Sequence, residues 1–240
     1  MEKPTGTLYL IPVTLGDLNV RAVLPQAVFT LVPTLSHYIV ENIKTARKFI
    51  KAINPETVQA ALHFSEISKH ADPLEIPSFL DPCLAGHPMG LMSEAGVPGV
   101  ADPGAEIIAL AHKKGIYVKP LVGPSSILMA VMSSGLNGQN FAFNGYLPME
   151  NAERRKQIKE LEQRSERERQ SQLFIETPYR NDKLFEELLN TLHNDTQLSI
   201  SCDISLDTEF IKTMPVALWK KQVPQLHKRP TIFMFSKEGF

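Results

Sequence analysis

At 240 residues the chain has room for one large domain or two smaller ones, and two is the working count. Hydrophobic residues make up 43% and charged residues 21%, which supplies a real core and excludes the composition of a disordered chain. With 25 Lys+Arg against 26 Asp+Glu the charge is balanced, which argues against steering of the whole molecule toward nucleic acid or anionic lipid; any basic surface must be local.

In chain order, residues 8–13 form a short apolar run closed by Thr-Leu-Gly-Asp, the pattern of a buried parallel strand and a turn. Between Pro33 and Pro55, Ile39, Ile43, Ala46, Phe49, Ile50 and Ile53 fall at helical spacings, so one amphipathic helix is expected over 35–53. Residues 70–90 carry scattered prolines that fit a loop or a short helix, and the Gly/Pro-rich stretch GLMSEAGVPGVADPGAE follows. A helix is expected over 105–112, a buried strand over 117–122, and a buried helix over 127–133 opened by the turn GPSS. Strand, glycine turn and helix alternate, which is the α/β pattern. Residues 151–172 have only Ile158 and Leu161 as large apolar side chains and read as a solvated helix. Then LFIETPYR reads as a strand and turn, LFEELLNTL as a helix, and QLSISCDI and PTIFMFS as strands, so two α/β domains are expected over 1–145 and 146–240.

Cys83 and Cys202 stand far apart and outside any CxxC or Cys/His cluster, which fits reduced thiols in a cytoplasmic protein better than a disulfide framework or a zinc site. No signal peptide and no run of roughly 18 apolar residues is found, so neither secretion nor a membrane span is expected.

Three Gly/Pro turns follow apolar strands: TLGD at 14–17, AGVPGVADPG at 95–104 and GPSS at 123–126. At the carboxyl ends of parallel strands such turns let backbone N–H groups approach a polar ligand, although glycine also serves βα turns that bind nothing. None matches GxGxxG or GxxxxGK[ST], so a phosphate-held ligand is not expected. The seven histidines show no spacing for a catalytic triad, and the carboxylates form no HExxH or DxDxDG pattern, so no metal is expected.

The ordered set GTLYLIPVTLGDL, IVENIKTARKFI, MSEAGVPGVADPG, LVGPSSILMAVMSSGL, FAFNGYLP and FIETPYRNDKLFEEL resembles the tetrapyrrole methylase superfamily of methyltransferases that use S-adenosyl-L-methionine (SAM). The nearest branch is the ribosomal RNA small subunit methyltransferase I type. The resemblance implies two α/β domains with SAM in the cleft between them, usually in a homodimer. It assigns to SAM Gly16 and Asp17 of the first loop, Gly96, Val97, Pro98, Val100 and Ala101 of the second, and Ser125, Ser126 and Ile127 of the third. From the second domain it adds Thr177, Pro215, Val216 and, less directly, Thr231.

The chain departs from that branch in three places: PVTLGD for A-T-P-[IL]-G-N, ENIKTAR for E-D-T-R and a further basic residue, and SEAG for S-D-A-G. If a ribose hydroxyl accepts the methyl group, a carboxylate base helps remove its proton, and Glu41 and Glu94 are the candidates. Lys44, Arg47 and Arg180 are candidate substrate contacts, and the basic runs at 154–169 and 220–229 are candidate RNA surfaces. Methylation of a small tetrapyrrole, or SAM binding without catalysis, are the alternatives.

Overall fold

The computed structural model describes residues 5–17, 19–67 and 74–237; His70 and the prolines near it fall partly outside that range. The chain divides into two compact units, Met1–Ser125 and Ser126–Phe240. The division falls within the GPSS turn, ahead of the expected boundary at 145. The reason is that β6 (Phe141–Tyr146) pairs with β7 (Ser171–Ile175), and α6 (Ser126–Ser134) packs on strands of the same sheet.

The first unit holds strands β1 (Thr7–Leu10), β2 (His37–Val40), β3 (His63–Glu66), β4 (Met89–Met92) and β5 (Tyr117–Pro120). They form a fully parallel sheet in the order β3-β2-β4-β1-β5. Between β1 and β2 run α1 (Val20–Val23) and α2 (Gln26–Leu31), and α3 (Ile43–Ile53) follows β2. Before β4 comes α4 (Asp81–Leu84), and α5 (Ala105–Lys113) links β4 to β5.

Alternation along the strands sorts the core into two layers. Tyr38 and Val40 pack with Ala46 and Ile50 of α3, whereas Ile39 points the other way, to Ile107 and Ala111 of α5. Leu24 and Val28, on the connection that follows β1, lie in the α3 layer, whereas α5 after β4 lies in the other, so the neighbouring strands β1 and β4 send their chains to opposite faces of the sheet. Such a switch point opens a crevice at the carboxyl ends of the strands.

Two expectations change here. The helix expected over 35–53 begins only at Ile43, where the Asn42 side chain accepts N–H bonds from Lys44 (2.9 Å) and Thr45 (3.2 Å). Residues 37–40 are a strand instead, because the run His-Tyr-Ile-Val is hydrogen-bonded on both sides, to β3 and β4. The expected buried strand at 117–122 is an edge strand whose residues are largely exposed.

The second unit contains β6, β7, β8 (Gln197–Cys202), β9 (Phe210–Pro215) and β10 (Thr231–Ser236), with α6, α7 (Asn151–Glu168), α8 (Asn181–Thr191) and α9 (Val216–Trp219). Its mixed sheet has the order β6-β7-β10-β8-β9, parallel only between β6 and β7. Phe174, Phe233, Phe235, Leu198 and Ile200 form the core with Leu184, Phe185 and Leu188 of α8 and the fully buried Trp219.

The helix at 151–168 is not solvated all round. Arg154, Ile158, Leu161, Glu162 and Ser165 form one buried face. The Arg154 guanidinium is satisfied by Glu187, by the carbonyls of Pro148 (3.1 Å) and Met149 (2.9 Å) and by Asn151 (2.6 Å). Glu162 accepts bonds from the His193 N–H (2.9 Å) and the Thr196 hydroxyl. Two charges that look like surface in the sequence thus tie α7 to α8 and to the entry of β8. Among the described residues, no helix is long and apolar enough to cross a membrane.

Candidate functional site

The three glycine turns of the first unit converge at the carboxyl ends of β1, β4 and β5. The Val13 N–H donates to the Gly96 carbonyl at 2.8 Å, which ties the first loop to the second. Gly96 has φ +70, a conformation costly for any other residue, with Leu15 Cδ2 and the Pro124 carbonyl beside it. Gly123 lies so close to Pro12 that a Cβ there would overlap the proline ring, so the third loop is pressed onto the first.

Between the first two loops and α3 lies a cavity of about 320 Å³. Gly16, Asp17 and Glu94 line it with the apolar Val13, Val20, Phe49 and Met92. Lys48 is the one cation among its described lining residues, and its 3.3 Å pair with Asp17 is exposed on both sides and contributes little. A phosphate finds no cradle here. An adenine finds apolar wall, and a sulfonium finds carboxylates, so the lining suits SAM.

The two candidate bases meet. The Glu94 N–H donates to Glu41 Oε2 at 3.1 Å, and the Thr45 hydroxyl donates to Glu94 Oε1 at 3.3 Å. The sequence reading missed a third carboxylate beside them. Asp102 is half-buried, and that burial, with the negative charges of Glu41 and then Glu94, pushes its pKa up to about 6 against the Ser93 hydroxyl, which favours the ionised form. Ala101 just before it has φ +62, which is uncommon for a residue with a side chain. The run V-A-D-P-G held the signal, an acid between two positions of unusual backbone.

The other assigned residues are distributed as follows. Pro98 and Ser125 are buried and Val100 is exposed, while Val97 is partly buried in the second loop. Ser126 opens α6 and Ile127 is buried on it, both in the second unit. Lys44 and Arg47 lie on exposed α3 positions, with the Arg47 guanidinium 5.2 Å from the centre of the Phe64 ring. Arg180 is engaged by Glu176 at 2.8 Å, and Glu176 also accepts the Thr177 N–H at 2.6 Å.

Within the second unit the structure separates residues that the motifs had grouped. Thr231 pairs with Cys202 at one end of β8 and stands next to the end of β7, near Thr177. Pro215 pairs with Gln197 at the opposite end of β8, about 17 Å away at the usual strand rise. Val216 is fully buried, so its side chain belongs to the core. Of the basic run on α7, Arg154 and Arg155 are taken by Glu187, and Lys156 and Arg167 lie beside Glu160 and Glu168.

Three histidines that the sequence scatters do come together. His37 stacks between His63 (4.8 Å) and His87 (5.2 Å), and burial, followed by the charges of those two rings, lowers its pKa. They sit where β2 and β3 begin, at the end of the sheet away from the glycine loops.

No family model matches the chain. Curated relatives are similar over most of its length. The ribosomal RNA small subunit methyltransferase I of Vibrio cholerae is 26% identical over 216 residues, 89% of this chain and 71% of the relative. The protein of that name from Bacillus subtilis is 29% identical over 208 residues, covering 86% and 67%, and the one from Synechocystis 28% over 200 residues, covering 83% and 67%. Among solved structures, the methyltransferase CobJ superposes with a TM-score of 0.63 over 97% of this chain and 94% of its own; at 13% identity this likeness concerns the fold. Fold, glycine loops and relatives together make the chain a SAM-dependent methyltransferase, one whose motif order resembles the tetrapyrrole methylase superfamily. The particular proteins it is similar to over most of its length are the ribosomal RNA small subunit methyltransferase I proteins.

Proposed function

We propose that the protein transfers a methyl group from SAM to a ribose 2′-hydroxyl of small-subunit ribosomal RNA. The observation that carries this reading is a carboxylate-lined cavity between the first two glycine loops and α3, with the third loop pressed onto the first, in a chain whose relatives bear that name. Gly16, Asp17 and the loop around Gly96 are the residues of the first unit that hold the cofactor, which when bound supplies an electrophilic methyl group. Held in line with an acceptor oxygen, that group needs little further activation, because orientation supplies much of the acceleration.

A sugar hydroxyl attacks well only as its proton leaves. Asp102 is the group suited to receive it, since a carboxylate pushed up to about 6 holds a proton far better than an ordinary one yet is ionised at neutral pH. Glu41 and Glu94 act on Asp102 through their charge, and Thr45 orients Glu94. The homodimer and the cytoplasmic location implied by the resemblance belong to the same reading, with the exposed Met132 and Met149 as apolar surface for a second copy.

Purified protein incubated with tritiated-methyl SAM and deproteinised small ribosomal subunits tests the reading. Label in RNA is the expected result. Label in a precorrin or uroporphyrinogen pool supports a tetrapyrrole methylase instead, and tight SAM binding with no transfer to either supports a binding module.

A further inference from the structure

The end of the second sheet where β7 stops carries a group of side chains that methyl transfer does not use. Tyr179 is 70% exposed. Lys228 Nζ stands 5.6 Å from the centre of its ring, and the His227 ring meets it edge-on at 6.0 Å and 82°. Arg180 adjoins it in the chain, but its guanidinium is held by Glu176, so Lys228 is the cation that faces the ring.

A single exposed tyrosine is ordinary. The backbone beneath this one is not. The Lys228 N–H donates to the Pro178 carbonyl (2.9 Å), the Leu226 N–H to Asp182 Oδ1 (3.2 Å) and the Asn181 amide to the Arg229 carbonyl (2.7 Å). Arg229 in turn fastens the same loop to Asp203 (2.8 Å) and to the carbonyls of Gln225 (2.7 Å) and Thr208 (2.6 Å). Lys228 is held at φ +61, a left-handed conformation that lysine seldom adopts. Connecting loops are usually among the more mobile parts of a domain, yet here two that are distant in sequence are pinned together so that an exposed aromatic ring and a cation meet. Pinning of this kind reduces what binding must spend on ordering.

We propose that Tyr179, with Lys228 and His227 beside it, is a stacking platform for an unpaired base of the RNA substrate, with Lys228 on the adjoining phosphate. The proposal rests on the RNA reading above. Single strands are held without sequence readout by aromatic faces on which bases stack and by cations that track the backbone. A chain of net charge −1 has no general attraction for RNA, so a local contact of this kind must supply the grip. An anionic membrane calls for a cluster of cations rather than one lysine beside a ring, and is the weaker match.

Full-length protein is titrated into a fluorescently labelled single-stranded RNA of about 12 nucleotides, within the usual range of such sites. Tyr179→Ala is expected to weaken binding roughly 5- to 150-fold, as loss of one stacked base does, while Tyr179→Phe stays within about twofold. Lys228→Gln is expected to weaken binding and to reduce the slope of log affinity against log salt by about 1. SAM affinity and the thermal midpoint should be unchanged in all three. Wild-type binding by Tyr179→Ala, an equal loss in Tyr179→Phe, or no RNA binding by the unaltered protein overturns the proposal. If RNA binds through Tyr179 but no methyl group reaches RNA, the platform stands and the functional reading fails. If RNA is methylated as well by Tyr179→Ala as by the unaltered protein, the reverse holds.

Discussion

Replacing Asp102 with Asn removes a charge that the fold holds at a cost. The carboxyl group titrates near 3.8 in an unfolded chain and is pushed up to about 6 in the folded one by burial and by Glu41 and Glu94. The folded state therefore binds more protons than the unfolded state between those values, and stability falls as pH rises from 4 to 6. Above 6 the whole cost is present. The full displacement corresponds to about 3 kcal/mol, and because the carboxylate is only half-buried, about 1 kcal/mol of it reaches stability. Asp102→Asn is thus expected to be about 1 kcal/mol more stable than the unaltered protein at pH 8 and nearly equal to it at pH 4, measured by urea unfolding at both values. Its methyl transfer should fall about 100-fold or more, with SAM affinity retained, as loss of a general base requires. Glu41→Gln should move the acid limb of the pH–rate profile to lower pH, since it removes one of the charges that raises Asp102. Equal stability at pH 8, or a variant that still transfers methyl groups at full rate, would refute the assignment.

Two further substitutions test the frame around the site. Gly123→Ala should destabilise the protein by about 1–3 kcal/mol and weaken SAM binding, because the new Cβ overlaps Pro12 and a ring fixed to the backbone cannot turn aside. Thermal unfolding and calorimetry with SAM check the two effects. Glu187→Ala leaves the Arg154 guanidinium buried without its carboxylate and should cost about 3–5 kcal/mol in denaturant unfolding, whereas the exposed pair Lys48–Asp17 should tolerate the same change.

Much of this architecture was legible in the sequence, and the exceptions share a cause. The glycine turns and the order of the motifs are local features, and they led to the two α/β units and to the loops that converge at Gly96 and Gly123. β2 was hidden because Ile39 happens to continue the helical spacing of α3, while its real determinant is pairing with β3 and β4, which spacing does not show. The charges of α7 looked solvated because the partner of Arg154, Glu187, lies on another helix. Asp102 was overlooked because its perturbation comes from burial in the folded loop and then from the charges of Glu41 and Glu94, brought to it by two different strand ends. The placement of Pro215 and Thr231 at opposite ends of β8 was not legible either, because a motif carries no register and only the strand pairing shows it.

Alkaline hydrolysis of the RNA after reaction with tritiated-methyl SAM tests the central claim most directly. A 2′-O-methyl group blocks cleavage at its own nucleotide, so the label should survive in an alkali-resistant dinucleotide from the small-subunit RNA, and Asp102→Asn should strongly reduce it. Label released as a mononucleotide, or no label in RNA from protein that binds SAM, would contradict the account.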